Sequence, residues 1–159
     1  KKATEKALGE MIKMRRREGA AMAADMKRRL RTITTLTRSI MRDAPQVLEK
    51  YRQRLKSRIA ELVDSPANDT GRLEMEITLF ADKCDISEEC TRLLSHIDLF
   101  THALAEDKPV GKTLTFILQE MNRESNTIAS KSPDTNVAGA VIALKEELEK
   151  LRELAQNAE

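Results

Sequence analysis

From Thr4 to Met41 the chain contains no proline, and Leu8, Met11, Met14, Met22, Met26, Leu30, Ile33, Leu36 and Ile40 recur along it at intervals of three and four with one gap. That periodicity predicts one amphipathic helix, roughly 55 Å long at 1.5 Å per residue. A helix of this length outruns any domain that the remaining residues could build. Part of its apolar stripe must therefore pack on a second copy or on another domain. Gly19 lies inside it and costs about 1 kcal/mol relative to alanine, which points to close packing, a kink or a ligand at that position.

The rest of the chain reads as further helices. Asp43-Ala44-Pro45 predicts a restart, because proline is comfortable in a first helical turn, and a second helix follows over Pro45 to Val63 with Val47, Leu48, Tyr51, Leu55, Ile59 and Leu62 on one side. Asp64 to Gly71, DSPANDTG, is rich in turn formers and predicts a linker. A third helix is expected over Arg72 to Lys83. Asp85, with Glu88 three residues on, makes a capping box for a fourth, whose Ile86, Cys90, Leu93, Ile97, Phe100 and Leu104 follow a coiled-coil-like repeat. The fifth begins near Lys112 and is closed by Pro133 and Asp134, and the last spans Val137 to Gln156. With five Gly, four Pro and no Trp, the composition favours solvated helices over a sandwich or barrel. The expectation is an all-α fold, a long N-terminal helix followed by a bundle of about five helices.

The net charge of +2 conceals an asymmetry. Lys1 to Ala60 holds 18 Lys and Arg against 6 Asp and Glu, whereas the remainder holds 10 against 20. The division predicts a basic helical arm or hairpin over residues 1–63 and an acidic helical domain over residues 64–159. A basic half of this size suits a polyanion, RNA or DNA first, since no apolar face accompanies the charge as a membrane-surface helix requires. It equally suits the acidic half of a neighbouring subunit. The chain begins with Lys1, shows no signal-peptide pattern and has no long apolar run, so the expected compartment is the cytoplasm. Cys84 and Cys90 match neither a zinc pair nor a redox motif, and His96 and His102, six apart, do not share a helical face.

Chemistry concentrates in GKTLTFILQEMNRESNTIASKS, Gly111 to Ser132. On a helical wheel Leu114, Ile117, Leu118, Met121 and Ile128 form an apolar face. Glu120, Glu124, Thr127 and Lys131 lie along one flank, Thr115, Gln119, Asn122 and Asn126 along the other, and Arg123 and Ser130 between. Glu120 and Glu124 are like-charged neighbours one turn apart, an arrangement relieved by Arg123, by Lys131 or by hydrated Mg²⁺ or Mn²⁺. On the preceding helix Glu89, Arg92 and His96 fall in line. A carboxylate, a guanidinium and an imidazole suit phosphodiester cleavage, with a cation for the phosphate and groups that move protons near neutral pH. The same spacings also fit an acidic rim neutralised by neighbouring helices and a surface ion network. Glu18 and Asp25, seven apart with Arg15 near, make a further acidic pair. No P-loop, GxGxxG, GxSxG or HExxH signature is present, nor an RRM or KH pattern.

The stretches MRRREGAAMAAD, ADKCDISEECTRLLSH, GKTLTFILQEMNRESNTIASK and the closing LKEELEKLRELAQNAE together resemble the C-terminal portion of the bacterial YicC/YloC-like endoribonucleases. The resemblance covers nearly the whole chain, while the family's proteins carry an additional N-terminal domain with no counterpart in it. It implies a cytoplasmic, hexameric endonuclease that cleaves RNA with the help of Mn²⁺ or Mg²⁺. The matching motif positions include Arg15, Glu18, Asp25, Glu89, Arg92, His96, Gln119, Glu120, Asn122, Arg123, Glu124, Asn126 and Lys131. On that basis Glu120, Glu124, His96 and Arg123 are the expected catalytic residues, Arg15, Arg92, Asn122, Asn126 and Lys131 the expected RNA contacts, and Glu120, Glu124 and Glu89 the expected metal ligands. Two positions depart from the pattern: Leu154 stands where a glutamine is expected, and Cys90 where an aliphatic is usual. The rival reading is a non-catalytic helical module for RNA binding or oligomerisation.

Overall fold

A computed structural model describes residues 2–62, 70–106 and 109–157. Most of the predicted linker, residues 64–69, lies outside the described residues. Five helices follow one another: α1 Lys2–Leu62, α2 Thr70–Cys84, α3 Ser87–Ala103, α4 Gly111–Lys131 and α5 Thr135–Gln156. No strand occurs among the described residues, so the all-α expectation holds, with four helices after the long one rather than five.

The difference arises at Pro45. The helix does not restart there; α1 runs through it as a single 61-residue element. Proline has no N–H for the Met41 carbonyl, a loss of about 3 kcal/mol in a helix interior. Burial of Ile40 and Val47 on either side of Pro45 offsets that loss. Asp-Ala-Pro is a start signal only when nothing packs across it.

The bundle is a closed ring of four helices, with α1 packed on α3 and α5, and α4 packed on both of those. Its core is built on seven-residue repeats. Met26, Leu30, Ile33, Thr37 and Ile40 of α1, Ile86, Cys90, Leu93, Ile97 and Phe100 of α3, and Val137, Val141, Leu144, Leu148, Leu151 and Ala155 of α5 are all buried. Leu114, Leu118, Met121, Ser125 and Ile128 of α4 continue the pattern. Alternating steps of three and four are the spacing of knobs-into-holes bundles. The two hydroxyls in these seams are satisfied within their own helices: Thr37 donates to the Ile33 carbonyl at 2.8 Å and Ser125 to that of Met121 at 2.7 Å. Cys90 is fully buried, and burial, assisted by the charges of Glu89 and Asp85, pushes its thiol up to about 11. Leu154 packs against the core.

One core thus joins α1 to α3, α4 and α5, so the charge boundary near residue 60 is not a packing boundary. α2 packs on the C-terminal part of α1, where Tyr51 and Phe80 stack with ring centroids 3.6 Å apart and Arg52 meets Glu74 at 3.3 Å. The N-terminal part of α1 projects from the bundle, exposing Leu8, Met11, Ile12 and Met14. Gly19 is not a point of close packing within the chain, because a methyl group there would meet nothing within 4 Å.

An aspartate caps the start of α5. The Asp134 carboxylate accepts from the Asn136 and Val137 amides at 2.8 and 3.3 Å and holds Lys50 of α1 at 2.9 Å. Those bonds, Lys50 first, keep the carboxyl below its ordinary range. Asp85 accepts from the Ser87 amide at 2.9 Å. The expected capping box does not form, since Glu88 pairs with Arg92 at 3.0 Å instead.

Candidate active site

The apolar face of α4 is buried as read: Leu114, Ile117, Leu118, Met121 and Ile128 all face the core. Its two flanks meet different neighbours. The flank bearing Glu120, Glu124 and Lys131 lies along α3, and the amide flank lies along α5.

On the α3 side the heptad places Glu89, Arg92 and His96 beside the core positions Cys90, Leu93 and Ile97, where side chains reach across a helical seam. Glu89, with a side chain only 5% exposed, accepts from Lys131 Nζ at 2.7 Å, and the same ammonium donates to the Asp85 carbonyl at 3.0 Å. Burial pushes the Glu89 carboxyl up, but the Lys131 bond and charge, a backbone hydrogen bond and Arg92 outweigh it, so the group sits below its ordinary range. The Glu89 bond in turn raises Lys131. Glu89 Oε2 is buried without a hydrogen-bond partner. Arg92 bridges Glu88 at 3.0 Å and the buried Glu124 at 3.7 Å.

These pairs show that α3 and α4 run antiparallel, with Glu89 meeting Lys131 and Arg92 meeting Glu124. His96 lies one turn beyond Arg92 on α3, and Glu120 one turn before Glu124 on α4. Glu120 itself pairs with Arg123 at 3.8 Å. The seam thus carries Glu89, Arg92, His96, Glu120, Arg123, Glu124 and Lys131, with two charged pairs bridging the helices. Among the described residues His96 has no hydrogen bond or ion pair, and no group of three or more His, Cys, Asp or Glu could hold a metal ion. A closed protein cage does not fit here. Glu120 and Glu124 offer an ion at most two carboxylates, each of them beside an arginine.

The remaining expected residues lie elsewhere. Asn126 Oδ1 accepts from Lys145 Nζ of α5 at 2.8 Å, and Asn122 and Gln119 line a groove of about 370 Å³ between α4 and α5. Arg15 lies where α1 leaves the bundle, lining with Glu18 and Gly19 a cavity of about 460 Å³ near Leu104, Val110 and Leu114. That is the end of the seam remote from Lys131. Asp25 is held by Arg28 and Arg29, and Arg29 continues to Glu147 of α5 at 2.9 Å.

The sequence model for the C-terminal part of YicC-like endoribonucleases matches residues 40–159. The chain belongs to the YicC-like endoribonuclease family. It is 41% identical over 158 residues to a probable endoribonuclease YicC of Clostridioides difficile, an alignment covering 99% of this chain and 54% of the relative. Its identity to a probable endoribonuclease YicC of Haemophilus influenzae is 38% over 153 residues, covering 96% of this chain and 52% of the relative. The chain therefore spans about half the length of these YicC relatives. No helix among the described residues is long and apolar enough to cross a membrane.

Two features of this YicC-like chain escaped the sequence. Lys145 and Arg152 sit in the charged run KEELEKLRE, where no spacing sets them apart, and both line the α4/α5 groove. The Arg29–Glu147 bridge joins residues far apart in sequence, and no local pattern announces it. Only the ring closure of α1 on α5 makes it.

Proposed function

We propose that this chain forms the catalytic bundle of an endoribonuclease that cleaves RNA phosphodiester bonds, with the α3/α4 seam as its site. The observation that carries the reading is the Arg92–Glu124 pair across the antiparallel α3/α4 seam, with His96 one turn on along α3 and Glu120 one turn back along α4. Cleavage needs a group that takes the proton of the attacking hydroxyl, one that protonates the leaving oxygen, and positive charge on the phosphate. His96 and Glu120 supply the first two, and Arg123 and the solvent-facing part of Arg92 supply the third, both side chains being at least half exposed. Glu89 and Lys131 are committed to one another. In this reading they position the C-terminal turn of α4 and take no proton from RNA.

In the alternative role for these carboxylates, Glu120 and Glu124 would hold Mn²⁺ or Mg²⁺, which would supply positive charge to the phosphate and leave proton transfer to His96. Assembly as a homo-oligomer, the hexamer that the family resemblance implies, would cover the apolar stripe of Leu8, Met11, Ile12 and Met14, all about half exposed. The cytoplasm is the compartment proposed for RNA turnover.

The test is cleavage of labelled RNA by the full-length protein, with Mn²⁺ and with EDTA. Glu120→Ala and His96→Ala are each expected to slow cleavage by about 100-fold or more, the usual scale of general acid–base catalysis. Unchanged rates in both variants would remove the seam as the site. RNA bound but intact under every condition would favour a non-catalytic binding module. A 2′,3′-cyclic phosphate product would identify the 2′-hydroxyl as the nucleophile.

A further inference from the structure

The face of α4 turned away from the acid–base seam carries its own set of groups. Gln119 and Asn122 line the α4/α5 groove, and among the described residues neither amide makes a hydrogen bond. Lys145 and Arg152 line the same groove from α5. Beyond Gln119 it continues into a second recess of about 310 Å³, lined by Lys112 and Phe116. Phe116 is 63% exposed. From residue 61 onward the chain holds 10 Lys and Arg against 20 Asp and Glu, yet three of those cations border this one groove against a single lining carboxylate, Glu149.

Each component has a counterpart in a single-stranded nucleic acid. Unpaired amides can donate to and accept from base edges, an exposed ring offers a stacking platform, and spaced cations follow a phosphate backbone. A phosphate or a small anion alone would leave the ring and the amides unused. A partner protein helix would need an apolar stripe, whereas the apolar floor here, Leu118 and Leu148, is already buried.

We infer that the α4/α5 groove binds a single-stranded segment of RNA, with Phe116 stacking on a base, Gln119 and Asn122 reading base edges, and Lys112, Lys145 and Arg152 holding phosphates. The inference rests on the RNA reading above and adds a binding subsite on the flank of α4 opposite the cleaving one. A strand held there would approach the seam around α4, so that the two flanks of one helix serve holding and cutting.

Fluorescence anisotropy of a labelled single-stranded oligoribonucleotide against the full-length protein tests this. Lys145→Ala/Arg152→Ala should weaken binding about tenfold and lower the slope of log K against log salt by roughly 1.4, the value for two phosphate contacts on a single strand. Phe116→Ala should weaken binding by about tenfold through lost stacking, and both variants should raise the KM for cleavage more than they lower kcat. Phe116, Lys145 and Arg152 are all exposed, and circular dichroism will confirm that the variants fold. Wild-type affinity in both variants, with the wild type itself binding RNA, overturns the groove and leaves the seam standing. Failure of the wild type to bind any RNA overturns both. A change in mass by light scattering, with affinity falling only as the assembly is lost, makes the groove a subunit contact and overturns the inference. Equal competition by a perfect duplex removes the base-reading role.

Discussion

Glu89 shows how a buried charge is held in this fold. Its carboxylate is nearly enclosed, and Lys131 is the cation that answers it. Lys131→Ala leaves that charge uncompensated and is expected to destabilise the chain by about 2 kcal/mol, below the roughly 3–5 for a fully buried pair because Lys131 remains partly solvated. The pH dependence follows from the direction of the shift. In the wild type Glu89 lies below its ordinary range, so its contribution is full above the unfolded value and is lost as pH falls through the folded one. In the variant the dominant influence is burial, which pushes the carboxyl up, so the variant gains relative stability as it takes up a proton. Urea denaturation should therefore show the gap between the two narrowing as pH falls from neutrality towards the ordinary carboxylate range. A constant gap would show that Lys131 does not hold the Glu89 charge.

At the scale of elements, the spacing of apolar residues was legible and the breaks were not. The wheel of α4 placed its apolar face and both flanks correctly, because a 3.6-residue period depends on nothing beyond the helix. Pro45 was read as a start because the local signals are the same for a first turn and for a helix interior; burial of Ile40 and Val47 on the two sides of it decides between them. Gly19 points to close packing, a kink or a ligand; the helix is unbroken there and nothing in the chain packs on it, which leaves a ligand in the cavity it lines. Gly19→Ala should consequently raise stability by about 0.5–1 kcal/mol through helix propensity alone, measurable as a higher Tm. A drop in Tm would mean that another chain packs against this turn. Unchanged stability with lost cleavage would place a ligand beside Gly19 in the cavity that Arg15 and Glu18 line.

At the scale of the whole molecule, the long helix ties the parts together. Its middle third enters the core, its end pairs with α2, and its beginning projects with Arg15, Arg16 and Arg17 exposed. If RNA runs along this basic arm, Arg15→Ala/Arg16→Ala/Arg17→Ala should reduce the slope of log K against log salt by roughly 2, about 0.7 per single-strand phosphate contact. An unchanged slope would move the strand off the arm and leave the bundle as its binding surface.

The sequence by itself determined that this chain is helical, where the apolar stripes lie, that its halves differ in charge, and which family its motifs resemble. Each of these depends on residues close together in the chain or on their plain count. Only the tertiary structure decided that α1 is unbroken, that it shares a core with the acidic half, and that α3 and α4 run antiparallel with Arg92 meeting Glu124. It also decided that the carboxylates and amides of α4 face different neighbours, so that the expected RNA-binding residues divide among the α3/α4 seam, the α4/α5 side and, for Arg15, the cavity where α1 leaves the bundle. Those facts depend on which helix lies beside which, and a helical period carries no information about the identity or register of the neighbour.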